Sequence, residues 1–195
     1  MLSVNFYKCW ASPKLPKNIN LAPRDLKGWT GVAAQPLYRL NPTIMADAFT
    51  QIYIHLIFCP KHREALILAD WEEKLHRYIT GIVEGRGHKL LAIGGMPDHI
   101  HIFIGQKVSE SIPDLVKEIK NASNDFVKKE KLSRFKFDWQ SGYGAFSHSR
   151  SQIDAVCRYV LNQKEHHRKK TFKAEFLKLC EDFGVEAGRK EYFDW

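Results

Sequence analysis

The chain lacks the features that mark membrane-bound, secreted and disulfide-built proteins. No apolar run approaches the roughly 20 residues that a membrane-spanning helix needs. The opening stretch, MLSVNFYKCWASPKLPKN, lacks the charged-then-apolar order of a secretory leader. Cysteine is scarce, and Cys9, Cys59, Cys157 and Cys180 are too scattered for a zinc motif or a dense disulfide framework. They read as reduced thiols, and cytoplasmic residence is the expectation. Acidic residues are outnumbered, 22 against 30 basic ones, for a net charge of +8. That excess is uneven. Residues 1–44 hold six basic residues and one acidic one, which leaves only +3 for the remainder. Net charge therefore says little about the main domain, and local clusters must carry any argument for nucleic acid.

At 195 residues there is room for one domain with a proper core and an appendage. Five of the eight prolines fall within residues 1–44 (Pro13, Pro16, Pro23, Pro36 and Pro42), and neither helical nor strand periodicity persists there. This segment reads as a poorly ordered N-terminal extension, with Met45 opening a domain that runs over 45–172. A helical tail is expected over 173–195.

From Thr50 the patterns become regular. TQIYIHLIF alternates as a strand, with Ile52, Ile54, Leu56 and Phe58 on one face. DWEEKLHRYITGIVEGRG is a helix, with Asp70 as its expected N-cap and the glycines at 85 and 87 at its end. HKLLAIGGMP and DHIHIFIG are two strands joined by a turn around Pro97. A second helix follows, with Ile112, Leu115, Ile119, Ala122 and Phe126 along its stripe. GYGAFSHS is a short strand, and one long helix starts at Ser149 with Gln152 in the capping-box position. A last helix covers TFKAEFLKLCEDFG and ends at Gly184. The order predicts an α+β, ferredoxin-like (RRM-like) antiparallel sheet with two helices on one face, followed by a further C-terminal helix.

Within DHIHIFIG the isoleucines share one face, and His99, His101 and Phe103 share the other. The isoleucine face should meet the helices, leaving the histidine face as the uncovered side of the sheet. Two imidazoles on one face can present two nitrogens to a cation. Two polar residues on a wet face give the same pattern, and the spacing alone does not separate these readings. In the helix from Ser149 the apolar stripe is Ile153, Val156, Cys157 and Val160, while Tyr159, Gln163 and His166 lie on a neighbouring face. The run HHRKK that follows suits a solvated helix end, where cations favour the dipole.

Taken together, FCPKHRE, DHIHIFI, WQSGYGAFSHS and YVLNQKEHHRKKTF, in that order, resemble the HUH single-tyrosine transposases, both the small insertion-sequence enzymes and their REP-associated relatives. The resemblance covers roughly residues 46–172. It implies that His99 and His101 are metal ligands, that Gln163 is the third ligand, and that Tyr159 is the nucleophile on the catalytic helix. The cofactor it implies is a divalent metal, Mg²⁺ or Mn²⁺. The substrate it implies is single-stranded DNA, with hairpin ends, nicked through a 5′-phosphotyrosine and rejoined without external energy. A homodimer is the implied assembly, although REP-associated members can act as monomers. No separate DNA-binding domain is visible in the sequence, so phosphate contacts are expected from three basic clusters. These are Lys61, His62 and Arg63; Lys128, Lys129, Lys131, Arg134 and Lys136; and Arg168, Lys169 and Lys170. Phe135 and Phe137 are candidates either for base stacking or for the core. Two rival readings on the same fold are a non-catalytic single-stranded DNA- or RNA-binding module and a metal-dependent nuclease in which water attacks.

Overall fold

Four strands form where apolar and polar side chains alternate: β1 (Tyr53–Phe58), β2 (Lys89–Met96), β3 (His99–Gly105) and β4 (Gly144–His148). The structure, a computed structural model, describes residues 49–186. The expected 1–44 extension and the end of the expected tail lie outside the described residues. The strand order is β2-β3-β1-β4, and every neighbouring pair is antiparallel. Helix α1 (Glu72–Gly85) connects β1 to β2, and α2 (Ile112–Lys129) connects β3 to β4. This is the expected α+β, ferredoxin-like arrangement. Leu56 and Phe58 of β1 and the three isoleucines of β3 pack with Leu75, Ile79 and Val83 of α1 and with Leu115, Ile119 and Val127 of α2. Burying each such side chain contributes about 1.5–3 kcal/mol, so this face supplies the main core.

Local details depart from expectation for identifiable reasons. Helix α1 starts after Trp71, not by a cap from Asp70, and no side chain caps it. Trp71 is buried edge-on against Phe137, so core packing sets the helix start. The buried stripe of α2 runs through Ser123 and Val127, not through Ala122 and Phe126. Ser123 is tolerated there because its Oγ donates to the Ile119 carbonyl at 2.5 Å and accepts from Trp139 Nε1 at 2.8 Å. Phe126 instead stacks on Tyr78 of α1, with ring centroids 4.0 Å apart.

The long helix expected from Ser149 is in pieces. The capping box of Ser149 and Gln152 is present, but it opens a 3-10 turn, Arg150–Gln152. Then α3 (Ile153–Leu161) ends at Asn162, whose φ of −100° and ψ of 25° interrupt the helix before the single turn α4 (Gln163–His166). Helix α5 (Phe172–Asp182) is capped by Thr171, whose hydroxyl accepts from the Ala174 amide at 3.3 Å, and the chain turns at Gly184 with φ +62°.

The expectation of an uncovered histidine face is overturned. Helices α3 to α5 close over that side of the sheet: Ala92 and Phe103 pack with Val156 and Val160, and Ile57, Cys59 and Phe146 pack with Phe172, Phe176 and Cys180. A glycine lets the first of these helices approach. A Cβ placed on Gly94 of β2 would lie 2.2 Å from the Val160 carbonyl oxygen, inside any tolerable contact. Gly94 pairs with His101 across the sheet, so this close approach sets α3 beside that histidine. Cys59, Cys157 and Cys180 are unbridged thiols. Among the described residues no helix is long and apolar enough to cross a membrane. Gly94→Ala should lower stability by about 1–3 kcal/mol, the usual cost of overpacking, measured as a lower urea midpoint; an unchanged midpoint would mean that α3 moves aside freely.

Candidate active site and metal centre

Strand alternation and helical spacing bring most of the expected site together. His99 and His101 point away from the isoleucine core into the layer under α3 to α5, and are only 1% and 0% exposed. Tyr159 stands over them from α3, its ring centroid 5.9 Å from that of His101 and 6.0 Å from that of His55 on β1. Gln163, the first residue of α4, is buried one turn further on. Its Nε2 donates to the Tyr159 carbonyl at 3.3 Å and to Glu175 Oε1 at 3.2 Å.

Four residues at this site were not singled out from the sequence as site residues: His55, His166, His167 and Glu175. His166 shares the face of Tyr159 and Gln163 in the sequence, whereas His167 is hidden inside a run that reads as a solvated basic helix end. Glu175 carried a usable signal. It falls within the buried stripe of Phe172, Glu175, Phe176 and Cys180, and a carboxylate on an apolar helical stripe is rarely left without a partner. It is 3% exposed, and the Tyr159 hydroxyl donates to its Oε1.

One ligand atom each from His99, His101, His167 and Glu175 falls within 4.8 Å of all the others. Glu175 Oε2 is 4.0 Å from His99 Nε2 and 2.9 Å from His167 Nε2, and Glu175 Oε1 is 3.8 Å from His101 Nε2. The Nε2 atoms of His99, His101, His166 and His167, together with Gln163 Oε1 and Glu175 Oε2, are buried without a hydrogen-bond partner among the described residues. The residues therefore fit a divalent cation: several lone-pair donors converge, buried and otherwise unsatisfied.

The outer side of the pair is anchored. His99 Nδ1 donates to Asp98 Oδ1 at 2.8 Å, and Arg63 donates to Asp98 Oδ2 at 2.5 Å. Arg63 belongs to a short 3-10 turn, Lys61–Arg63, in which His62 and Arg63 adopt φ of 57° and 54°. Left-handed backbone is costly for these residue types, and such strain tends to collect at functional sites. His101 Nδ1 lies 2.9 Å from His55 Nε2.

Burial works against ionisation of Asp98, but the hydrogen bonds and charges of His99 and Arg63 outweigh it and hold the carboxyl at about 2. Burial, reinforced by His148, pushes the His55 imidazole down to about 3. Burial and then the surrounding histidines push His101 well below the ordinary value. Burial, followed by the charge of Glu175 and its hydrogen bond, pushes the Tyr159 phenol well up.

The basic clusters differ in placement. Arg63, Arg168, Lys169 and Lys170 wall a cavity of about 420 Å³ that Asp98 and His167 also line, beside the site. The guanidinium of Arg63 sits 5.2 Å from the Phe172 ring centroid, and Phe172 stacks on His99 at 4.1 Å. Lys61, Lys128, Lys129, Arg134 and Lys136 are exposed. Lys128 and Lys136 approach Asp138 at 3.7 and 3.5 Å, and the Lys61 amide donates to the Asp138 carbonyl at 2.8 Å, so the first two clusters adjoin. Phe137 is core, whereas Phe135 is 73% exposed.

Acid favours unfolding at these histidines. Below about pH 6.5 the unfolded chain takes up protons that the buried rings refuse. With its folded value near 3, His55 alone should remove about 2 kcal/mol of stability between pH 6.5 and pH 5. Urea titrations of the cation-free protein across that range measure it, and a flat profile would contradict the burial.

Known proteins are similar to this chain. A family model described as IS200-like transposase matches residues 48–163. The curated ISDra2 transposase TnpA of Deinococcus radiodurans is 28% identical over 121 residues, covering 59% of this chain and 86% of that protein. A crystal structure of a Deinococcus radiodurans R1 protein assigned as a transposase is 24% identical, with a TM-score of 0.48, over 60% of this chain and 94% of that one. A REP-associated tyrosine transposase bound to a REP hairpin is 14% identical, with a TM-score of 0.45, over 56% of this chain and 64% of that one. The family match takes in His99, His101, Tyr159 and Gln163 and stops short of His167 and Glu175. The chain belongs to the IS200-like transposase family.

Proposed function

We propose that this transposase nicks and rejoins single-stranded DNA through a covalent bond to Tyr159, with a divalent cation, Mg²⁺ or Mn²⁺, held by His99, His101 and Gln163. The observation that carries this reading is the gathering of the Tyr159 hydroxyl with the unpartnered Nε2 atoms of His99 and His101 in one buried cluster. Gln163 Oε1 is buried and unpartnered beside them, as a third ligand requires. The basic cavity next to the cluster suits a polyanionic strand.

Tyr159 Oη attacks the scissile phosphorus, forming a P–Oη bond while the P–O3′ bond breaks. The products are a 5′-phosphotyrosine and a 3′-hydroxyl. The phenolic proton passes to Glu175 Oε1, which already accepts the hydrogen bond, and the departing O3′ takes a proton from water. A second 3′-hydroxyl reverses the step and returns the phenol. One phosphodiester bond replaces another, so no external energy is needed. A phenol with an ordinary value of about 10, raised further here by burial, is a weak nucleophile alone. When bound, the cation withdraws charge from the phosphate and aligns it for in-line attack. Imidazole donors suit Mn²⁺ better than Mg²⁺.

Arg63, Arg168, Lys169 and Lys170 contact the strand at the site, while Lys61, Lys128, Lys129, Arg134 and Lys136 hold DNA further along, where hairpin ends lie. A homodimer remains the assembly the family implies. Cleavage in cis is supported by the seating of Tyr159 over the histidine pair of its own chain.

Labelled single-stranded DNA carrying the locus's own flanking palindromes, incubated with protein and Mn²⁺, should give a covalent adduct. Tyr159→Phe should abolish it. Cleavage that persists in Tyr159→Phe would replace this reading with a water-attacking nuclease, and binding without cleavage would replace it with a binding module. Mixing Tyr159→Phe with His101→Ala tests the cis arrangement. The mixture should stay inactive, whereas recovered adduct would mean that Tyr159 serves a partner's histidines.

A further inference from the structure

We infer that the cation is held in a cage closed by the C-terminal helix, with His167 and Glu175 as ligands alongside His99 and His101. This rests on the metal-dependent reading above and extends its ligand set beyond the span that matches the family.

Three histidines share one arrangement. The Nδ1 of each is engaged outward: His99 with Asp98 Oδ1 at 2.8 Å, His101 with His55 Nε2 at 2.9 Å, and His167 with the Lys170 carbonyl at 2.9 Å. The Nε2 of each is buried and unpartnered. A carbonyl or carboxylate only accepts, so His99 and His167 carry their proton on Nδ1, and a neutral ring then turns its lone pair inward from Nε2. His101 reaches the same state when its Nδ1–H donates to His55. An outer acceptor fixing the tautomer and tilt of an inward nitrogen is how metal-ligating histidines are held.

Glu175 is divided in the same way. Its Oε1 receives hydrogen bonds from Tyr159 and Gln163, while its Oε2 is buried and has none. That free oxygen is the one 2.9 Å from His167 Nε2 and 4.0 Å from His99 Nε2. His167 Nε2 and Glu175 Oε2 stand at ion-pair distance without hydrogen-bond geometry, so a cation between them would take the place of a ring proton. Around a cation with bonds of about 2.1 Å, neighbouring ligand atoms lie about 3 Å apart and opposite ones about 4.2 Å apart. The separations of 2.9, 3.8 and 4.0 Å fall within or close to that window, and all four ligand atoms lie within 4.8 Å of one another.

The charge also fits. Three neutral imidazoles and one carboxylate leave a single positive charge on a bound dication, facing a phosphodiester of charge minus one. Three nitrogen donors favour Mn²⁺ over Mg²⁺, which prefers oxygen and retains water.

The test uses the full chain, stripped of metal and free of DNA, titrated with Mn²⁺ in a calorimeter. Wild type should bind one equivalent, more tightly than Mg²⁺. His167→Ala and Glu175→Gln should each weaken Mn²⁺ binding about tenfold or more, since losing even an outer partner of a ligand costs that much. Lys178→Ala, on the exposed side of α5, should leave binding unchanged, and thermal midpoints of the metal-free variants check folding. Wild-type affinity in both His167→Ala and Glu175→Gln, with binding lost in His99→Ala, would overturn the cage while leaving the histidine pair as the metal site. Absence of Mn²⁺ binding in wild type would overturn the metal dependence as well. If a variant fails to fold, pulsed electron paramagnetic resonance of the wild-type Mn²⁺ complex decides. Three coupled histidine nitrogens support the cage, and two overturn it.

Discussion

Six polar atoms buried in one place without a hydrogen-bond partner among the described residues form the constraint around which the rest of the domain is arranged. Each unpaired buried group costs about 1–3 kcal/mol, against a total domain stability of about 5–15 kcal/mol. A domain carries such a cluster only because something else compensates it. Here the isoleucine face and its two helices provide a core that owes nothing to the site, and this leaves the opposite face free to hold destabilising chemistry. The two sides of the sheet therefore have separate duties. One supplies the larger core, and the other sets the site between two smaller apolar clusters.

Placement on the second face depends on the missing side chain at Gly94. The contact with the Val160 carbonyl is backbone to backbone, so it sets the height of α3 with little dependence on side-chain packing. From that height Tyr159 reaches the histidines, and the break at Asn162 turns the chain so that Gln163 and then His167 point into the same space. The turn at Lys61–Arg63 acts from the far side, through Arg63 and Asp98, on the orientation of His99. Two connecting segments, at Asn162 and at Lys61–Arg63, thus join the strands in orienting the rings.

Much of this was legible in the sequence. Period-two alternation found the strands, and the helical stripes found α1, α2 and α5. The resemblance carried by four motifs in order proposed His99, His101, Tyr159 and Gln163 as one site, and the fold gathers these side chains. What escaped depended on distances that no local pattern encodes. His167 and Glu175 lie 66 and 74 positions beyond His101, and only folding brings them together. The charge-rich run around His167 looks solvated because its lysines and arginines are, while the ring between them is not. The expected open face failed for a related reason: alternation shows which side chains share a face but not whether another helix covers it. Asp70 failed as a cap because Trp71, anchored in the core, already determines where α1 begins.

The interruption at Asn162 has a bearing on how this chain can vary. Each residue advances a helix by about 100°, so a single insertion or deletion between Tyr159 and His167 would swing one of them out of register with the other. Substitution in that interval meets little resistance at its exposed positions, which carry no contact with the rings. A change of length has no such outlet. The tract from the tyrosine to the C-terminal helix is therefore a measured spacer, tolerant of substitution at exposed positions such as Leu161, Lys164 and Glu165 but not of a change in residue count.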